Sequence, residues 1–349
     1  MSRQFDALKL HARLALRDLV WLLTNRHRQG EKPNIAAFGS RRSGSTLLMQ
    51  TIAANPGVKS IDQPDSIFSA SAYQARLLPI RDCGQLHHLD DQEQRIFKDY
   101  VDAIVAGELH VNEPWRFWGR NFAWRSDRLV FKITNAHGAA QWMTTTFGWQ
   151  TVALLRHPLS QSLSVCRLEG GPGGWQPRAP GLFRSEAYCR DHLDDGLVAR
   201  AHDIWRAGDA LDRHVLGWIL ENLPLLQAWR RERTWSLVSY EAMVLEPEQV
   251  VAGLAHTLDL PDRAHMRATL GEASVSVRNL SATERKEAIR RGDRQAMLAS
   301  WRRHVDQDAL RRYGAWFEAF GVDLYRPDRD VPEPLLSFPE ERDRSRAAA

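Results

Sequence analysis

Asn34-Ile35-Ala36-Ala37-Phe38-Gly39-Ser40-Arg41-Arg42-Ser43-Gly44-Ser45-Thr46-Leu47-Leu48 reads in succession as a short apolar strand, a glycine-bounded loop and the start of a helix. Consecutive backbone amides at a helix N-terminus hold anions through aligned N–H groups and the helix dipole, and glycine lets the ligand approach closely. The spacing, Gly39 to Gly44 followed by a hydroxyl pair, is that of a nucleotide phosphate loop, but Ser45 stands where an ATPase or kinase carries lysine. The loop predicts an anion site not built for Mg-ATP, with Arg42 adding a cation.

Downstream, the helix runs from about Ser45 to Ala54 and stops at Asn55-Pro56-Gly57, because proline cannot continue it and glycine accepts a left-handed turn. Upstream, Phe5, Leu8, Ala12, Leu16, Leu19 and Leu23 recur at helical spacing among Arg3, Lys9, Arg13 and Arg17. Residues 1–30 are read as an amphipathic basic helix docked on its own domain, with contact to an anionic membrane surface as the lesser option. Further along, Asp90–Gly107 and a segment around Gln141–Thr146 have helical spacing. Arg128–Ile133, Thr151–Leu155 and Trp235–Val238 read as strands, and residues 197–231 and Glu248–Leu258 as helices. A helix is expected through Trp301, Leu310, Trp316 and Phe320, and a charged, proline-punctuated tail over 326–349. Strands alternating with helices predict an α/β domain over 31–325, a P-loop-type parallel sheet flanked by helices. Ligands of such sheets sit beyond the carboxyl ends of the strands, where Gly39, Thr134 and Arg156 all fall.

A second element narrows the ligand. Leu154-Leu155-Arg156-His157-Pro158 continues through Ser160 to Ser164, placing an arginine at a strand end and a serine eight positions on, past a proline suited to a first helical turn. Arginine offers a permanently charged bidentate fork and serine a hydroxyl donor, a pair suited to a terminal phosphomonoester.

With these motifs the sequence resembles the sulfotransferases that use 3′-phosphoadenosine 5′-phosphosulfate, over most of residues 34–325, and is closer to the Golgi, tyrosylprotein-type and bacterial branches than to the cytosolic one. The resemblance implies that Arg41, Arg42, Ser43, Gly44, Ser45 and Thr46 hold the 5′-phosphosulfate and that Arg156 and Ser164 hold the 3′-phosphate. Ser239-Tyr240-Glu241-Ala242-Met243-Val244 is similar to the family's tyrosine–glutamate segment, which implies Tyr240 beside the adenine. Ser300-Trp301-Arg302 and Phe320-Gly321-Val322-Asp323-Leu324-Tyr325 are similar to the family's close. The resemblance also offers Arg167, on the helix of Ser164, and the basic residues Arg290 and Arg291 ahead of Trp301 to complete the 3′-phosphate site, although an arginine-rich face is more often solvated helix surface, the reading favoured for Arg290 and Arg291. Arg42 would stabilise the leaving group. Lys132 matches the lysine of the family's lysine–threonine–histidine element, but Thr134 falls where its histidine would be.

Sulfuryl transfer to a hydroxyl, or less readily an amine, requires charge stabilisation, positioning and a base, because a free alcohol is a poor nucleophile at neutral pH. Gln63 falls nearest the glutamate that Golgi-type members use, and glutamine cannot take the proton. Asp62 leads as the base, with Asp65, Glu113 and His137 as alternatives; each also suits a turn, a cap or the surface. The competing readings are a P-loop nucleotide kinase or other phosphotransferase, and a catalytically inactive donor-binding protein.

Composition bounds the rest. The chain has 349 residues and 47 Lys plus Arg against 43 Asp plus Glu, too small and dispersed an excess to argue for nucleic acid. Three cysteines, Cys83, Cys166 and Cys189, lack disulfide or metal spacing. The longest early apolar run, Leu19–Leu23, is far short of a membrane span. A cytoplasmic protein without a metal is expected; His87-His88 and Asp191-His192 offer no third or fourth ligand. Gly170-Gly171-Pro172-Gly173-Gly174-Trp175 reads as a mobile loop that folds over the acceptor. The acceptor itself, a small molecule, glycan, lipid or peptide, is chosen by loops without decodable motifs. Trp115, Trp118, Trp124, Trp142 and Trp149 are read as core more than cleft.

Overall fold

The computed structural model describes residues 26–65, 88–109, 124–168, 176–271 and 294–339, together with Ala12, Leu16, Leu19 and Val20. Cys83, His87, Glu113, Trp115, Trp118, Arg290, Arg291, the glycine-rich segment 170–174, most of the first helix and residues 340–349 lie outside them. Among the described residues, eight strands follow in chain order: β1 Arg26–His27, β2 Ile35–Phe38, β3 Val58–Asp62, β4 Arg125–Ser126, β5 Arg128–Ile133, β6 Gln150–Leu155, β7 Ser236–Ser239 and β8 Leu336–Ser337. Six of them form one sheet in the order β3-β5-β2-β6-β7-β8, while β1 and β4 pair separately. The first five of that order run parallel, and β8 joins antiparallel to β7.

Side chains of the central strands alternate between two cores, as the period of two requires. Ala36, Phe38, Phe131, Ile133, Ala153 and Leu155 face one core, which takes in helices Asp91–Val105, Ala140–Phe147 and Ala210–Arg231. Ile35, Ala37, Val130, Val152 and Leu154 face the other, covered by helices Ser45–Ile52, Pro247–Thr257 and Arg263–Gly271. Helices on both faces explain why β2 and β5 are apolar almost throughout and buried at every residue. The structure is thus the α/β, mostly parallel sheet flanked by helices that the alternation predicted. Among the described residues, no helix is long and apolar enough to cross a membrane.

Several boundaries differ from expectation, each for a local reason. The helical stretch 197–231 is broken at Gly208-Asp209, where Asp209 accepts from the Asp212 amide and starts a new helix with a capping box. The pattern through Trp301 and Phe320 divides likewise: Ser300–His304 is a 3₁₀ turn and Asp306 caps Gln307–Ala319. Val58–Asp62 was not recognised as a strand, because only Val58 and Ile61 of its five residues are buried, as suits the edge of the sheet. Trp142 and Trp149 pack in or against the first core, whereas Trp124 is 54% exposed.

The segment expected to be a tail returns to the sheet. Residues 326–339 carry β8, and Phe338 is buried against the second core because Gly253 leaves it room. A Cβ at Gly253 would lie 2.0 Å from the Phe338 ring. Gly253→Ala should therefore destabilise the fold by about 1–3 kcal/mol, although alanine is the better helix former by about 1 kcal/mol. Urea unfolding measures this, and a midpoint equal to or above wild type would show that Phe338 is not wedged there.

Candidate active site

Parallel strands bring the ends of β2, β3, β5, β6 and β7 to one edge of the sheet, and each carries a polar residue there. The loop after β2 is held from both sides. Gly39 donates its amide to the Ile133 carbonyl at 3.1 Å, the Ser43 amide donates to the Ser40 carbonyl at 3.1 Å, and the Ser40 hydroxyl donates to Asn222 Oδ1 at 2.7 Å. Two residues take left-handed backbone, Arg42 at φ 65° and Gly44 at φ 101°. Gly44 has a second reason to lack a side chain, since a Cβ there would come within 2.7 Å of the Tyr240 ring. Arg42 carries a Cβ, so its left-handed backbone needs support from its surroundings.

That support is Arg156, from the end of β6. Its Nη1 donates to the Arg42 carbonyl at 2.9 Å and its Nη2 to Ser160 Oγ at 2.7 Å, while its guanidinium lies 4.6 Å from the centre of the Tyr240 ring. Arg42 in turn donates from Nε to Ser164 Oγ at 3.2 Å. Arg42, Gly44, Arg156, Ser164 and Tyr240 thus converge from three chain segments: the loop, the turn from β6 into the helix Pro158–Cys166, and the start of the helix Tyr240–Leu245. Arg41 turns the other way: it donates to the Gln176 carbonyl at 3.2 Å and approaches Glu221 to 4.0 Å, while its own carbonyl accepts from Gln161 at 2.8 Å. Ser43 Oγ is buried without a hydrogen-bond partner among the described residues. An unsatisfied buried hydroxyl beside the opening amides of a helix suits an anion's oxygens, so the cradle fits a phosphate group.

On the opposite side, Lys132 joins the loop helix to β3. Its Nζ donates to Thr46 Oγ1 at 3.0 Å and lies 2.6 Å from Asp62 Oδ1.

No family model matches the chain, and no curated protein is significantly similar to it. Among solved structures the chain is similar to the sulfotransferase domain of the Synechococcus PCC 7002 olefin synthase, at 18% identity, over 86% of this chain and 100% of that one, with a TM-score of 0.42. It is similar to mouse sulfotransferase SULT7A1 complexed with PAP at 11% identity, over 87% of each chain, with a TM-score of 0.37. A sulfotransferase from Alicyclobacillus acidocaldarius is 15% identical over 78% of this chain and 100% of that one, with a TM-score of 0.34. All three are sulfotransferases. Likenesses of this size leave the chemistry to be argued from the site itself.

The acid–base groups near Lys132 differ sharply from one another. Asp65, three residues beyond β3, is fully buried; its Oδ2 accepts the Asn135 amide at 2.7 Å and its Oδ1 has no partner among the described residues. Burial pushes its pKa up to about 6, against the opposing pull of the Asn135 amide and of the Lys132 and Arg178 charges. His137 is buried with Nδ1 2.9 Å from the Glu221 carbonyl, and burial lowers its pKa, so the ring is neutral at pH 7. Behind Arg156, Glu241 is buried and pushed up to about 7 by desolvation, which the His157 amide, Arg156 and the Tyr325 hydroxyl oppose. Gln63 takes left-handed backbone at φ 52° and donates its amide to the Lys132 carbonyl at 2.9 Å.

Sequence reasoning overlooked Ser160, Arg178, Glu221 and Asn222. Glu221-Asn222 could have been found, because a polar pair interrupts the apolar run Leu216–Leu226 of a buried helix. Ser160 could not, since Arg156 makes its hydrogen bond only once β6 has turned into the helix Pro158–Cys166.

Proposed function

We propose that the chain is a sulfotransferase that takes the sulfuryl group of 3′-phosphoadenosine 5′-phosphosulfate to an acceptor hydroxyl. The observation that carries this reading is the convergence of Arg42, Arg156, Ser164 and Tyr240 beside a phosphate loop that has serine in place of the kinase lysine. A nucleotide with one phosphate chain needs a single anion site, whereas the Arg156 guanidinium and the Ser164 hydroxyl beyond the loop provide for a second phosphate. The donor, when bound, supplies an activated sulfuryl group on a phosphate leaving oxygen.

The protein's part is to bind, orient and move one proton. Ser43 offers its hydroxyl and Gly44, Ser45 and Thr46 their amides to the 5′ end, and Arg156 with Ser164 takes the 3′-phosphate. Tyr240 offers an aromatic face for the base. Lys132, fixed between Thr46 and Asp62, places a positive charge where negative charge builds on the leaving oxygen. Arg42, positioned by Arg156, adds a second cation on the other side. Asp62 is engaged with Lys132 and serves best by orienting it. Asp65 has an oxygen without a partner among the described residues and a pKa raised to about 6, so it takes the acceptor proton.

Binding of 3′-phosphoadenosine 5′-phosphate and of ADP, measured by calorimetry, tests the donor. Hydrogen bonds to a charged group contribute about 1.5–3 kcal/mol each, so the 3′-phosphate ligand should bind about 10- to 150-fold more tightly. Equal affinity, or a preference for ADP, would overturn the reading and favour a phosphotransferase.

A further inference from the structure

We propose that Glu241 is a positioning residue for the nucleotide site, holding Arg156 and Tyr240 in the geometry that grips the second phosphate and the base. The inference rests on the donor reading and deepens it, since it concerns how the same site is kept in register. Glu241 is 1% exposed, and a carboxylate that deep requires polar partners. It has them on two other segments. Oε1 accepts the backbone amide of His157, the residue after Arg156, at 3.0 Å, and Oε2 accepts the Tyr325 hydroxyl at 3.2 Å. Its own neighbour in the chain is Tyr240, whose ring meets both the Arg156 guanidinium and the space above Gly44.

One carboxylate therefore ties the end of β6, the helix Tyr240–Leu245 that follows β7, and the late segment at Tyr325. His157 extends the joint. Its ring stacks on Trp301 with centroids 4.6 Å apart, and its Nε2 lies 2.9 Å from the Arg329 carbonyl, on which it donates its proton. Burial lowers the His157 pKa to about 3, so the ring stays neutral and adds no repulsion to Arg156. Arg156 cannot shift without dragging the His157 amide off Glu241, and Tyr240 cannot shift without moving Glu241 itself. Arg156 would be fixed at the strand end through its neighbour's backbone as well as by its own bonds to Arg42 and Ser160.

The test is calorimetric titration with 3′-phosphoadenosine 5′-phosphate of the full-length wild type, Glu241→Ala, Glu241→Gln and Tyr325→Phe, each with its melting temperature. Loss of the residues that orient metal ligands commonly costs about 10- to 100-fold in affinity, and the same scale is expected for a carboxylate that orients a phosphate-binding arginine. Glu241→Ala should weaken binding by at least about tenfold while stoichiometry stays near one. Glu241→Gln keeps an acceptor oxygen for the His157 amide and should restore affinity to within about threefold. Tyr325→Phe, which removes only the Oε2 partner, should fall between them. With donor turnover as a second readout, KM for the donor should rise and kcat at saturation should hold. A purely structural role would instead lower the stoichiometry or the kcat with an unchanged dissociation constant, and that result overturns the proposal. If the wild type itself fails to bind the ligand, the donor reading falls first and this one with it.

Discussion

Asp65→Asn lowers kcat by about 10²- to 10⁴-fold, the usual contribution of a positioned general base, while affinity for 3′-phosphoadenosine 5′-phosphate stays at the wild-type value. The substitution keeps the size of the side chain and an oxygen for the Asn135 amide, so the fold loses little. It removes the one oxygen of Asp65 that has no partner among the described residues. The pH profile carries the same argument. Asp65 is raised to about 6, so the proton-accepting form accumulates as pH climbs through that value, and wild-type kcat should rise across the same window and level off above it. Asp62→Asn is the contrast. It leaves Lys132 with Thr46 but without its counter-charge, so it changes the orientation of a cation rather than deleting a base. Its kcat should fall less than that of Asp65→Asn, with the ascending limb near pH 6 intact. If Asp65→Asn retains turnover within about threefold and Asp62→Asn does not, the base is Asp62, as its place in the sequence first suggested.

The two aspartates show where a sequence stops being readable. Asp62 and Asp65 are three positions apart in a stretch with no periodicity, and nothing in their order says that Lys132 engages the first and burial isolates the second. Those facts depend on β5 lying beside β3, with the Asp62 backbone paired to that of Lys132 itself. Strand and loop were more legible. Ile35–Phe38 and Arg128–Ile133 are continuous apolar runs, and a sheet buried on both faces accepts little else. Proline and charge dominate the composition of residues 326–339, so the sequence reads as a tail where the structure has a strand. Their attachment rests on Phe338 filling the space left by Gly253, a contact 85 positions apart that leaves no local pattern. The arginine–serine pair was visible as a spacing, but its arrangement was not. In the structure Arg156 bonds Ser160, one turn nearer than Ser164, and Arg42 takes Ser164.

That arrangement sets the second large effect, the loss of affinity in Arg156→Ala. Truncating one partner of a buried, hydrogen-bonded charge pair costs about 2–5 kcal/mol, or roughly 30- to 5,000-fold in the dissociation constant of 3′-phosphoadenosine 5′-phosphate. Two losses combine in that figure. The ligand's second phosphate loses a guanidinium that is 6% exposed, and Arg42 loses the hydrogen bond that braces its left-handed backbone at φ 65°. ADP separates them, because it lacks the second phosphate and feels only the slackened loop. Arg156→Ala should therefore weaken ADP binding far less than that of the bisphosphate ligand. Arg156→Lys restores the charge but cannot fork between the Arg42 carbonyl and Ser160, so it should recover only part of the difference. If ADP and the bisphosphate fall by the same factor, Arg156 acts wholly through the loop, and the second phosphate must be held by other side chains.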